Sequence, residues 1–307
     1  MAFLRRIADA VSRRTADQAD RLSALGVGET ESTDAAATAP RTAPPASPDA
    51  PTTAPRRLLE WQVATVKAIT TETARAKTFT LELPDWQAHR AGQHYDVRLT
   101  ADDGYQAQRS YSIASEPERV GEIDLTVERI VDGEVSGYMH DVLVPGDRIE
   151  VRGPIGGYFV WQATDPGSLA LVAGGSGVVP LMAMLRHRAA AGGQRPARLL
   201  YSSRTADDII YRDELDRLAS RQTPHRDGAD APGVFHTLTR GAPEGWSGYD
   251  RRIDPDMLRE VIGPLGLDVR VFVCGPTLLV ESAADALVEI GIPAERIKTE
   301  RFGPTGS

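Results

Sequence analysis

The chain has 307 residues, 41% hydrophobic and 25% charged, which is ordinary globular usage with room for two domains. Its net charge of −8 argues against a general nucleic-acid binder. A single cysteine, Cys274, excludes an internal disulfide framework and any four-cysteine zinc or iron–sulfur site; with no apolar run of membrane-spanning length and no secretory h-region, the expected compartment is the reducing cytoplasm.

At the start of the chain Phe3, Ile7 and Val11 share one helical face, with Arg5, Arg6, Arg13 and Arg14 around them. Two readings stand: a short amphipathic helix that docks on a partner or an anionic surface, and a frayed, solvated tail. Residues 26–56 are rich in Ala, Thr, Ser and Pro and hold six prolines with almost no large apolar side chain. They bury too little to offset their ordering entropy, so residues 1–56 are expected to form a disordered extension.

From Leu58 to about Tyr158 short strands alternate with turns. The predicted strands are Trp61–Ile69, Thr78–Leu83, Tyr95–Leu99, Ser110–Ile113, Ile123–Arg129 and Arg148–Val151, separated by Pro84-Asp85, Asp102-Asp103-Gly104, Asp132-Gly133 and Pro145-Gly146-Asp147. About six antiparallel strands in about a hundred residues predict a small barrel, with a helix over Ser136–Leu143 across one end.

After Pro166 the rhythm changes. Strands are expected at Leu169–Ala173, Arg198–Ser203, Val234–Leu238 and Val269–Val273, and helices at Val178–Ala191, near Glu214–Ala219, and at Leu278–Ile290. Strand and helix in turn predict a doubly wound parallel sheet covered on both faces. The polar loop near Gln222–Gly233 is expected to be mobile. The expected division is an extension over 1–56, a barrel domain over 57–162 and an α/β domain over 163–307.

Three constellations carry chemistry. Residues 109–115 read Arg-Ser-Tyr-Ser-Ile-Ala-Ser. Arg109 offers a bidentate fork for a pyrophosphate, Tyr111 a ring for a flavin face, and Ser112 a hydroxyl for a ring nitrogen; alone, the run also suits an ordinary half-exposed strand. The second is Gly174-Gly175-Ser176-Gly177-Val178-Val179-Pro180, between a strand and a helix. Its glycines let backbone amides approach a pyrophosphate at the positive end of a helix, and Pro180 suits a first helical turn. A tight turn without ligand is the alternative.

The next strand ends in Ser203-Arg204, where an NAD site of the usual type has a carboxylate, and the strand after it ends in Thr239-Arg240. Hydroxyl–guanidinium pairs suit a 2′-phosphate, favouring NADPH over NADH, although each Arg, like Arg251 and Arg252 beyond, also suits a surface role over apolar neighbours. The third constellation, Cys274-Gly275-Pro276, again lies between strand and helix, at the carboxyl edge where such sheets bind ligands. Cys274 fits either a nicotinamide pocket or a small buried hydrophobe.

Together, in this order, these motifs resemble the ferredoxin–NADP reductase family from Leu58 to the C-terminus. The family's R-x-Y-S is met by Arg109, Tyr111 and Ser112, with Ser110 between them. Its flavin Gly/Ser motif is matched by Gly133-Glu134-Val135-Ser136, its G-G-x-G-x-x-P by Gly174, Gly175, Gly177 and Pro180, and its C-G-P by Cys274, Gly275 and Pro276. The resemblance implies a β-barrel FAD domain, an α/β NADP or NAD domain, and hydride transfer from nicotinamide to flavin N5 beside Ser112, Cys274 and Glu300. It implies FAD on Arg109, Ser110, Tyr111, Ser112, Val135 and Ser136. It implies the nicotinamide nucleotide on Gly174, Gly175, Ser176, Gly177 and Pro180, with Ser203, Arg204, Thr239 and Arg240 at its 2′-phosphate.

Plant members end in an aromatic residue over the flavin; Phe302 stands near the end here, not at it. Several bacterial relatives add a [2Fe–2S] domain, for which this chain has no cysteines. The resemblance therefore implies a reductase module that hands electrons to a separate acceptor protein; a further reading is a subunit feeding a larger oxidoreductase, with the N-terminal segment as its tether. The competing function is a flavin- and nucleotide-binding redox sensor without turnover.

Overall fold

The computed structural model describes residues 59–193, 195–220 and 233–303. The N-terminal extension and nearly all of the 222–233 loop lie outside them.

Six strands build the first sheet: β1 (Gln62–Thr71), β2 (Ala76–Glu82), β3 (His94–Thr100), β4 (Gln106–Ser112), β5 (Glu122–Glu128) and β6 (Arg148–Ile155). Their order is β4-β3-β6-β1-β2-β5, every pair antiparallel. The two outer strands meet where Ile113 bridges Leu125 and the Ala114 amide donates to the Asp124 carbonyl at 2.8 Å, so the sheet curls into a barrel. Alternation drives this: Phe79 and Leu81, Tyr95 and Val97, and Ile123, Leu125 and Val127 point into one core. Helix α1 (Glu134–Asp141) adds Val135, Tyr138 and Met139 to that core and packs against β3, β4 and β5.

The second sheet is wholly parallel, in the order β11-β10-β7-β8-β9. Its strands are β7 (Leu169–Gly174), β8 (Ala197–Ser203), β9 (Gly233–Leu238), β10 (Arg270–Pro276) and β11 (Ile297–Phe302). β7, buried along its whole length, reads as an unbroken apolar run, as a strand covered on both faces does. Helices α2 (Val178–Ala190) and α3 (Arg212–Ser220) bury one face, and α4 (Pro255–Val261) and α5 (Thr277–Glu289) the other.

The antiparallel barrel and the doubly wound sheet are the architecture the sequence predicts. Two elements were not expected from it. β11, Ile-Lys-Thr-Glu-Arg-Phe, has charged residues through its middle and pairs only with β10. α4 has just seven residues, started by Asp254, whose carboxylate accepts from the Met257 amide, and by Pro255. β4 also begins four residues before its predicted start, at Gln106, because register with β3 extends a run too polar to read as a strand.

Candidate active site

β4 is an edge strand whose two faces do different work. Pairing puts Arg109 opposite Val97 and Tyr111 opposite Tyr95, so both share the face of those core residues, on a strand against which α1 packs. Tyr111 is half-buried against the core, and burial pushes its phenol well above the usual range. Arg109 is exposed; its guanidinium donates to the carbonyl of Gln108 at 2.6 Å and has no carboxylate partner among the described residues.

α1 starts on the same side, tied to the β3–β4 hairpin by Tyr105, whose hydroxyl donates to Glu134 at 3.1 Å. No side chain caps this helix start, and Ser136 Oγ turns back to accept from the Ile130 amide at 3.2 Å. Val135 is packed in the core, so it offers a ligand only its backbone. A guanidinium without a carboxylate partner among the described residues, a half-buried phenol and uncapped helix amides together fit the pyrophosphate and ring of a flavin dinucleotide.

Ser110 faces the other way. Ser110 donates to Asp96 at 2.7 Å, and Arg152 donates to the same carboxylate, also at 2.7 Å. Burial alone would raise Asp96; these two bonds hold it below the usual carboxylate range. The Ser110 side chain is thus a brace between β4 and β3, while Ser112 pairs with His94 at the strand end.

In the second sheet the glycine turn and the Cys274 turn lie against one another. A Cβ on Gly177 would collide with the Cys274 carbonyl, one on Gly275 would stand 3.1–3.3 Å from the Gly174 backbone, and one on Gly174 would come within 2.6 Å of Leu279. Gly175 sits at φ +54°. The sequence places these two motifs over 90 residues apart; β7 and β10 pair in register and bring their carboxyl ends together. This is the edge where strand order reverses and where α2 begins with no side-chain cap and no acidic first turn. Pro180 is buried in that first turn.

A cleft of about 600 Å³ runs from this turn to the ends of β8 and β9. Gly174, Gly175 and Ser176 line one end, and Ser203, Arg204, Thr239 and Arg240 the other. The two predicted hydroxyl–Arg pairs are joined: the amides of Thr239 and Arg240 donate to the carbonyls of Ser203 and Arg204 at 3.1 and 2.8 Å. Arg252 also lines the cleft, whereas Arg251 is paired with Asp254 at 2.6 Å. Among the described residues Arg204, Arg240 and Arg252 have no carboxylate partner. Pro276, Phe302 and the exposed Leu278 form an apolar wall. Phe302 ends β11 beside Pro276. Five barrel residues, Thr73, Arg75, Ala76, Glu128 and Ile130, also line the cleft; none belongs to a motif, and only their place at or near strand ends marks them.

Cys274 and Glu300 are register partners on β10 and β11, and the thiol donates to the carboxyl at 3.9 Å. Burial pushes Glu300 up to about 7, with the Cys274 hydrogen bond pulling the other way. Burial and the adjacent Glu300 push the Cys274 thiol well above its ordinary value, so it is held as neutral SH rather than thiolate. The pair can position a ligand and hold a proton near neutrality.

Comparison with known proteins returns matches for both sheets. Residues 62–160 match the oxidoreductase FAD-binding domain model and residues 171–285 the oxidoreductase NAD-binding domain model. A ferredoxin–NADP reductase B from Sorangium cellulosum is 36% identical over 245 residues, covering 77% of this chain and 91% of that protein. A glycine betaine monooxygenase reductase subunit from Pseudomonas aeruginosa is 33% identical over 219 residues, covering 70% of this chain, which spans only 57% of that subunit. Among solved structures, a Neisseria gonorrhoeae ferredoxin NADP+ reductase with bound FAD and NADP has the same fold, with a TM-score of 0.65 at 20% identity, covering 78% of this chain and 98% of that one. An Amycolatopsis cytochrome P450 reductase superposes with a TM-score of 0.67 at 25% identity, over 81% of this chain and 71% of that one.

Proposed function

This chain belongs to the ferredoxin–NADP reductase family, and from that premise we propose that it prefers NADPH as donor and delivers electrons to a separate acceptor protein. It is an FAD-dependent NAD(P)H oxidoreductase. Bound FAD supplies hydride acceptance at N5 and release of electrons singly or in pairs. The protein supplies binding, orientation and charge.

In this reading residues 57–162 hold FAD and 163–307 hold the nicotinamide nucleotide. Arg109 clamps the FAD pyrophosphate together with the uncapped amides of Val135 and Ser136, Tyr111 lies on the flavin, and Ser112 bonds near N5 while Ser110 braces the strand. Gly174, Gly175, Ser176 and Gly177, with Pro180 shaping the helix start, cradle the nucleotide pyrophosphate. Gly275 and Pro276 shape the nicotinamide pocket. Phe302 forms its apolar wall, and Cys274 and Glu300 flank the hydride path.

The observation that carries the NADPH preference is the trio Arg204, Arg240 and Arg252, uncompensated by carboxylates, beside the hydroxyl-bearing Ser203 and Thr239. A dianionic 2′-phosphate satisfies such a cluster; a bare ribose diol does not. The Arg204→Ala/Arg240→Ala double variant should lose at least about tenfold in kcat/KM for NADPH and little for NADH. Equal loss for both, or none, would reject the assignment.

A separate protein acceptor is supported by relatives named for ferredoxin and for a monooxygenase. The cysteine usage also favours the cytoplasm. Among the described residues no helix is long and apolar enough to cross a membrane.

A further inference from the structure

Glu128 ends β5 in the barrel, yet it lines the cleft of the other sheet. Ser176 Oγ donates to its Oε2 at 2.9 Å, and that same oxygen stands 4.0 Å from the point a Cβ on Gly175 would occupy. A carboxylate therefore hangs over the turn whose amides no side chain caps. The cleft has one other acid, Asp208, and its carboxylate is spent on the amide and hydroxyl of Thr205. Glu128 is held more loosely: beyond the Ser176 bond, its other oxygen makes only a long ion pair, 3.9 Å from Arg75 Nη2, and Arg75 lines the same cleft.

We propose that Glu128 is a displaceable gate of the nucleotide cleft, occupying the anion position over Gly175-Ser176 in the free protein and yielding it when a pyrophosphate arrives. The inference rests on the reading of this cleft as the nicotinamide nucleotide site. Like charges about 4 Å apart near a protein surface repel by more than thermal energy, so the carboxylate and the pyrophosphate do not share the turn. Arg75, already 3.9 Å from the other carboxylate oxygen, is the partner that keeps the carboxylate when its bond to Ser176 breaks. Because the gate opposes binding, it raises the dissociation constant of both NADPH and NADP+ and shortens the stay of the product. It also makes Ser176 a reporter: the bond that closes the free cleft joins the two sheets, and it breaks on loading.

The test is Glu128→Gln in the full-length flavoprotein, an isosteric change that keeps an acceptor for Ser176 and removes the charge. Folding is checked by unchanged FAD stoichiometry. NADP+ is titrated against the oxidised protein by its flavin difference spectrum, at low and high NaCl. The variant should bind NADP+ about fivefold more tightly at low salt, with the gap closing at high salt, and 2′-AMP, which lacks a pyrophosphate, should bind the two proteins equally. Unchanged or weaker NADP+ binding would overturn the gate, as would tighter binding indifferent to salt or an equal gain for 2′-AMP. If the unaltered protein gives no difference spectrum with NADP+ or NAD+, the failure belongs instead to the assignment of the cleft.

Discussion

Burial sets the chemistry of Glu300. Its carboxyl, near 4.5 when free, is held at about 7 in the folded chain. The folded state therefore keeps a proton that the unfolded state has lost once pH exceeds about 4.5. Stability from this group is full below that pH, falls as pH rises to about 7, and is level above. Glu300→Gln should remove this component: melting temperature in the variant should decline less between about pH 5 and 7 than in the parent. A parallel decline in both proteins would mean that Glu300 titrates normally. The same scale holds the flavin clamp. Arg109→Ala should yield folded protein, by circular dichroism, that has lost FAD; stoichiometric yellow flavin in that variant would dismiss Arg109 as the clamp. Arg109, Tyr111 and Ser112 are legible in sequence because their side-chain types sit on one short strand. Glu128 is not, since it acts only through what the fold places opposite it.

The glycine turn and the Cys274 turn work as one element although the chain separates them. Their contact explains why glycine stands at 177: the Cys274 carbonyl fills the space a side chain needs. Gly177→Ala should cost about 1–3 kcal/mol of stability by overpacking, seen as a lower melting temperature, and should weaken NADP+ binding as the turn shifts; a variant of parental stability would show that the two turns can part freely. Strand–turn–helix order was readable here from apolar runs and glycines. The close approach of Gly177 to Cys274 was not, because it depends on β7 and β10 being neighbours, which local pattern does not encode. β11 escaped for a related reason: it is an edge strand with alternating charge, and its partner β10 alone makes it a strand. It nevertheless delivers Glu300 and Phe302.

Across the whole molecule, polar contacts join the barrel to the parallel sheet. Arg186 on α2 donates to the Ala114 carbonyl of the barrel at 2.8 Å, pairs in bidentate fashion with Glu214 at 3.0 and 2.5 Å, and lies under the Tyr211 ring at 4.7 Å. Tyr211 in turn bonds Thr126 of β5. Lys298 of β11 donates to the Val160 carbonyl at 3.3 Å. Arg186→Ala would strand a half-buried Glu214 and free the Ala114 carbonyl, at a cost of about 1–3 kcal/mol. Chemical denaturation should show that loss; an unchanged midpoint would make the contact incidental.

The central claim is that both cofactors meet in one cleft and exchange hydride. It is tested most directly by recording the visible spectrum of the purified protein and titrating it without oxygen, first with NADPH and then, on a fresh sample, with NADH. The account predicts a bound oxidised flavin that bleaches stoichiometrically, and faster with NADPH. A protein without flavin, or one whose flavin stays oxidised in excess of both nucleotides, would contradict it, the second result pointing to a redox sensor rather than an oxidoreductase.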